Sequence, residues 1–395
     1  MPETGQGWRI LDGVPTAWFD ARSLREGARL AVRVLEQVPE AAVDVRTTGV
    51  RVRLDPGADP AAVSAAASEL GLAADPGVPQ RLGVLVDAGD PAAVRPFWQR
   101  ALAYVASGDG ALVDPLRRDP PMRILRSAEH RPLRNRIHLD VVRPAEGVEH
   151  ADLGEAYGPF GVCHADPDGN EVDLVPGSPL GESAGTADWQ VVFSAMACYR
   201  VGSPVQQRDL AATAAALADD AGFPLLVDLR PGLVVLDTGK DRWHPDAHGL
   251  DLAFADLARD LQAAARDLGA LADPGLPRFV QVFLDAADVE ALRTFWATVL
   301  GYDRDRRGEA TDVHDPRWLN PVLLFQPIDT SDTARRRQRN RIHLELAVPA
   351  DVARSRVDTA LAAGGRLLEV SGDRWLVADP EGNELVVVGE ASTVA

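Results

Sequence analysis

Two periods of hydrophobic and polar residues recur along this 395-residue chain. RLGVLVDA (81–88) and FVQVFLDA (279–286) are short, mostly apolar runs that read as strands. A spacing of three and four follows each run. Val94, Phe97, Trp98, Ala101 and Leu102 form one stripe, and Leu292, Phe295, Trp296, Val299 and Leu300 form the other. Such stripes belong to helices that pack on a sheet, and the Phe-Trp pairs are read as core. RNRIHLDV (134–141) changes the period to two. One face carries Arg136, His138 and Asp140, and the other Ile137, Leu139 and Val141. RNRIHLEL (339–346) repeats this with Arg341, His343 and Glu345 against Ile342, Leu344 and Leu346. DPDGNEVDLV (166–175) and DPEGNELVVV (379–388) read as turns running into strands. Gly169 and Gly382 are expected at positive φ. Glu171 and Asp173 share a face in the first; Glu384 and Val386 occupy those places in the second.

These matches recur in one order at offsets of about 198, 205 and 213 residues, so the chain is duplicated with small loop insertions. A fainter repeat precedes each copy: VDVRTTGVRVRL (43–54) resembles VDLRPGLVVL (227–236). Helical stripes come before both, through Leu24, Ala28, Val32 and Leu35, and through Leu210, Ala214 and Leu217. Alanine-rich helices are expected near 60–70 and 252–268. The order is A–B–A′–B′, with domains expected at 1–76, 77–178, 188–274 and 275–390. PGSPLGESAGTA (176–187) reads as the linker between the copies.

Composition narrows the class. Hydrophobic residues make up 46% and charged residues 25%, as in ordinary globular chains. A net charge of −18 argues against nucleic acid and anionic membrane as partners. MPETGQGWRILDG has no basic segment followed by an apolar run, so no signal peptide is expected. Two unrelated cysteines, Cys163 and Cys198, fit a reducing cytoplasm and cannot build a thiolate zinc site. No nucleotide-binding, nucleophile-elbow or zinc-protease motif is present. ARRRQRNR (334–341) reads as a solvated loop, with anion binding as the alternative. His244 and His248 are four apart, but the intervening Pro245 argues against a helical metal pair.

The D…FW…LGY segment, the RIHLDL-like strand and the DPxGNE turn together resemble the vicinal-oxygen-chelate superfamily, the glyoxalase and bleomycin-resistance fold. That resemblance covers about 100 residues in each B segment. It implies an α+β protein in which paired βαβββ modules curl around a cleft. The A segments resemble pterin-4a-carbinolamine dehydratases more faintly. That family's paired histidines would fall at Pro39 and Glu40, and at Phe223 and Pro224; its later histidine would fall near Pro56 or Gly239. The A segments are therefore expected to keep a dehydratase-like α/β fold without the groups that move protons.

Metal-dependent superfamily members take His, Gln and Glu ligands from four strands. By that resemblance the first copy offers His138 and Asp173, while Val386 leaves the second without its acid. Gln281 and Gln326 are the only amides on the remaining strands, and both lie in the second copy. Counted within each copy, neither reaches a full donor set, so no metal and no other cofactor is expected. The expected partner is a small organic molecule, bound in one or both clefts without a metal. Arg136, His138, Glu171, Asp173, Arg341, His343 and Glu345 are the candidate ligand-binding residues. An enzyme of the same fold, using His138 with Asp140 and Asp173, is the alternative. Dehydratase-related activity or a non-catalytic interaction platform is the third reading. A homodimer is compatible with all three.

Overall fold

The structure is a computed structural model, and it describes residues 7–390. Segment A contains β1 (Trp8–Leu11), β2 (Val14–Asp20), α1 (Leu24–Gln37), β3 (Ala42–Arg46), β4 (Gly49–Arg53) and α2 (Pro60–Glu69). Segment B follows with β5 (Arg81–Ala88), α3 (Pro91–Leu102), β6 (Val105–Ala106), β7 (Leu112–Val113) and β8 (Met122–Arg126). Its second half has β9 (Ile137–Pro144), α4 (Ala145–Glu149), β10 (Cys163–Ala165) and β11 (Glu171–Pro179). Segment A′ has β12 (Gln190–Val191), β13 (Ala195–Arg200), α5 (Pro204–Asp220), β14 (Leu226–Arg230), β15 (Leu233–Asp237), α6 (Pro245–His248), α7 (Phe254–Asp267) and β16 (Leu271–Ala272). Segment B′ opens with β17 (Phe279–Ala286), α8 (Val289–Leu300), β18 (Asp303–Arg304), β19 (Val313–His314) and β20 (Leu323–Pro327). It closes with α9 (Thr333–Arg337), β21 (Ile342–Pro349), α10 (Ala350–Ala362), β22 (Arg366–Ser371), β23 (Arg374–Ala378) and β24 (Glu384–Glu390).

Like pairs with like. One compact unit contains both A segments, the other both B segments. In the first unit, β3 and β14 meet edge to edge, with Asp44 opposite Asp228. Two like charges would repel there. Each is answered from the other copy: Arg230 binds Asp44 at 2.6 Å and Arg46 binds Asp228 at 2.7 Å. Burial alone would raise the Asp44 carboxyl. Arg230 and Arg51 outweigh it and hold the group well below the usual carboxylate range. The helices start alike. Ser23 accepts from the Glu26 N–H while Glu26 accepts from Arg22, and Ser203 and Gln206 repeat this with Gly202. The stretch 176–187 is less of a linker than its composition suggests. β11 continues to Pro179 because Ser178 and Pro179 pair with Val191 and Gln190.

The second unit has two sheets, and neither belongs to one copy. The first runs β10-β11-β9-β17-β20-β19-β18, joining the second half of B to the first half of B′. The second runs β22-β23-β24-β21-β5-β8-β7-β6, joining the remaining halves. Helix stripes meet the apolar strand faces in one core that contains Trp98 and Trp296. Each indole N–H donates to the aspartate of a DPxGNE turn, Asp166 at 2.9 Å and Asp379 at 3.0 Å. Gly169 and Gly382 have φ of +79° and +86°, as those turns require.

The interlock explains why RNRIH is written twice. The Arg136 N–H donates to Asn340 Oδ1 at 2.8 Å, and the Arg341 N–H donates to Asn135 Oδ1 at 2.7 Å. Each asparagine then donates through Nδ2 to the turn asparagine of its own copy, Asn170 or Asn383, at 2.8 Å. All four asparagines are buried. A buried amide left without partners costs about 1–3 kcal/mol per group, so this crossed clasp fixes the exchange of halves.

Candidate functional site

Strand register builds the first site. β17 is antiparallel to β9, with Phe283 opposite His138 and Gln281 opposite Asp140. Directly opposed residues share a face. The polar face therefore combines His138 and Asp140 of B with Gln281, Phe283 and Asp285 of B′. β11, the neighbour of β9, adds Asp173. His138 Nε2 lies 3.3 Å from Asp140 Oδ1 and 4.0 Å from Asp173 Oδ2. His138, Asp140 and Asp173 form the only group of three among the described residues whose ligand atoms lie within 4.8 Å of one another. The Phe283 ring stacks on the imidazole, with centroids 4.5 Å apart. Gln281 Nε2 donates to Asp140 Oδ2 at 2.7 Å. The buried Gln281 Oε1 has no hydrogen-bond partner, and the long contact to His138 Nε2 is the one Asp140 Oδ1 makes.

This corrects the count of donors within each copy. Gln281 belongs to the second copy in sequence but lies beside His138, because the halves are exchanged. Gln326 is on the same sheet, where it donates to Asp285 at 2.6 Å. Arg335 from the arginine run also binds Asp285.

Charge around His138 is acidic. Burial by itself would lower the imidazole, but Asp140 and then Asp173 outweigh it and raise it above its ordinary value. Asp173 is raised as well, by burial first and by Asp140, against the opposing pull of His138. Among the described residues, no arginine binds either acid.

The His343 site has the same frame and different contents. β21 is antiparallel to β5, with His343 opposite Leu85 and Glu345 opposite Gly83. Leu85 and Gly83 thus replace Phe283 and Gln281. Val386 replaces Asp173. Arg374 binds Glu345 at 2.7 Å, and Arg81 stands 3.7 Å from it. Asp87 is bound by Arg131 at 2.7 Å and Glu384 by Arg339 at 2.5 Å. Burial lowers the His343 imidazole. Asp87 and Glu384 pull it back, Arg339 and Arg131 oppose them, and the net shift is downward.

Not every expected residue reaches a site. β9 begins at Ile137 and β21 at Ile342, so strand alternation does not extend to Arg136 and Arg341. Arg136 is buried and donates to the Glu381 carbonyl at 3.0 Å. Arg341 donates to the Gly169 carbonyl and to Asn170 Oδ1, each at 2.9 Å. Both arginines serve the turns of the clasp. Glu171 is held by Arg134 at 2.5 Å and by the Tyr157 hydroxyl at 2.9 Å. Among the described residues, neither His244 nor His248 belongs to a group of three metal-binding side chains. The His244 ring lies tilted against that of Trp243 just before the four-residue α6, while His248 packs edge-on against Phe223.

Phe283 was missed as a site residue, and the alternation of FVQVFLDA could have shown it. Gln281, Phe283 and Asp285 share one face of that strand.

No curated protein matches the chain. Similar solved structures include glyoxalase I from Zea mays, at 10% identity over 79% of this chain and 92% of that one, with a TM-score of 0.38. A glyoxalase-related enzyme from Fulvimarina pelagi is 19% identical over 29% of this chain and 94% of its own, with a TM-score of 0.22. A glyoxalase/bleomycin resistance protein/dioxygenase family enzyme from Burkholderia phytofirmans is 15% identical over 27% and 94%, with a TM-score of 0.21. The model of the glyoxalase-like domain matches residues 83–175 and again residues 281–388, just over half of the chain. The duplicated strands, the exchanged sheets and these two matches establish that the chain belongs to the glyoxalase-like domain family.

Proposed function

We propose that the protein binds a small organic molecule on the His138 face, and that the ligand is cationic or rich in hydrogen-bond donors. The supporting observation is Asp140. Its carboxylate is buried, its partners are the Gln281 amide at 2.7 Å and the His138 imidazole at 3.3 Å, and no arginine among the described residues binds it. A buried carboxylate that no arginine or lysine binds is costly unless a cationic or hydrogen-bond-donating group completes its partners. Asp173 is a second acceptor a few ångströms away, and Phe283 is an aromatic neighbour.

A thermal-shift series with diamines, amino sugars and polyols tests this. Ligand at about 100 times its Kd adds about 2.7 kcal/mol of stability. Asp173→Asn should remove the shift produced by any hit, while Glu345→Gln should leave it. If no compound stabilises the protein, or if both variants respond like the parent, the reading fails.

A second reading is favoured by the donor set. His138, Asp140 and Asp173 supply one nitrogen and two carboxylates, and the Gln281 amide is adjacent. These residues fit a divalent cation. Such an ion would polarise a bound oxygen of the substrate. In either case His138 is the group able to hold or release a proton, with Asp140 stabilising its charged form. Metal analysis of protein purified without chelator separates the readings. One ion per chain, lost in His138→Ala, supports the second; less than about 0.1 ion per chain removes it.

The A segments are read as dehydratase-like domains on the likeness of their strands to that family. Pro39, Glu40, Phe223 and Pro224 supply no imidazole, so no dehydratase reaction is assigned to them.

A further inference from the structure

β22 lies at the edge of the second sheet, and β23 is its only strand partner among the described residues. All six of its residues are exposed, which holds for no other strand longer than two residues among those described. Three are large and apolar: Leu367 is 40% exposed, Leu368 45% and Val370 54%. Segment B has no counterpart, since β10 is the outermost strand there. The strand is therefore not demanded by the repeated fold.

Its two faces can be assigned from register. Leu367 is opposite Val377 and Val370 is opposite Trp375, both of which pack in the core. Leu367 and Val370 thus extend the apolar side of the sheet past its last covered strand. Glu369 and Ser371 lie opposite Leu376 and Arg374, on the other side. The register shift between Leu367 and Glu369 leaves Leu368 as the extra residue of a bulge. Edge strands usually avoid pairing through proline, lysine or inward charge, and RLLEVS has no proline or lysine.

We propose that β22 pairs antiparallel with β22 of a second copy of this chain about a two-fold axis. The register that matches faces sets Leu367 opposite Val370 of the second copy, and does so twice. Arg366 then lies opposite Ser371 of the second copy. Its diagonal neighbour on the same face is Glu369 of the second copy. Both charges are satisfied by symmetry, as an isologous contact requires. The shared surface is small, so the dimer is weak and concentration-dependent.

Sedimentation velocity of the full chain from ~1 to ~200 µM tests this, because a weak interface shows itself only across such a range. The expected result is a monomer that becomes a dimer with rising concentration. Val370→Lys should weaken association at least tenfold while leaving the melting temperature near that of the parent. Arg366→Glu should also weaken it, by setting like charges on the diagonal. Adding Glu369→Arg should restore it, because the reversed pair is again complementary. A monomer throughout overturns the proposal. So does a dimer that is indifferent to Val370→Lys, or a charge reversal that the second substitution fails to rescue.

Discussion

His138 and His343 occupy equivalent places on strands spelled almost alike, and their pKa values are shifted in opposite directions. Each imidazole is buried, with a carboxylate two residues away on the same strand face. The difference comes from the charged and apolar residues around each imidazole, on its own strand and on its neighbours. His138 meets Phe283, Asp140 and Asp173, and its pKa is raised. His343 meets Leu85, has Val386 where an acid would be, and its pKa is lowered. Arg374, Arg131 and Arg339 bind the acids nearest to it. Duplication preserved the frame, and the residues that both copies place around each imidazole set the chemistry.

The frame should be equally fragile on both sides. Asn135→Ala and Asn340→Ala each remove the acceptor of a buried backbone N–H and a donor to a turn asparagine, although Asn170 Oδ1 keeps the Arg341 Nε–H. Each leaves at least one buried N–H without an acceptor and should cost about 1–3 kcal/mol or more in denaturant unfolding. A loss on one side only would break the symmetry. Chemistry should be one-sided. Asp173→Asn should weaken cation binding on the His138 face at least tenfold in calorimetry, about 1.4 kcal/mol, whereas Glu345→Gln should have no effect. The same binding should strengthen as pH rises through the His138 pKa. Losing the imidazolium proton removes a positive charge beside the cation.

The comparison can also be sharpened by transplanting one difference. Val386→Asp returns an acid to the place that Asp173 holds in the other copy, and should raise the His343 pKa. An unchanged value would mean that the arginines alone determine its state. The smallest effect is structural. Helix α8 ends at Gly301 with φ of +68°, and α3 ends at Ala103 with φ of +51°. A side chain is strained in this left-handed conformation, so Ala103→Gly should stabilise the protein by up to about 1 kcal/mol.

Much of this was legible in the sequence because it is local. The stripes through Trp98 and Trp296, the two faces of RNRIHLDV and the positive-φ glycines of DPxGNE follow from periodicity and turn chemistry. So did the asymmetry between Asp173 and Val386. The exchange of halves was not legible, since nothing in RIHLDV says whether β5 or β17 lies beside it. Gln281 was therefore counted with the wrong histidine, and Phe283 was assigned no role. Arg136 and Arg341 were read as lining a cleft because alternation was carried one residue past the strand start. Their partners are carbonyls of turns, which have no signature in side-chain pattern.

The central claim is that two copies of one strand hold histidines whose pKa values are shifted in opposite directions. Histidine-selective NMR titration of metal-free protein tests it directly, with His138→Gln and His343→Gln assigning the two resonances. His138 should titrate above the ordinary imidazole value of about 6.5 and His343 below it. Two coincident titrations, or the reverse order, would contradict the account.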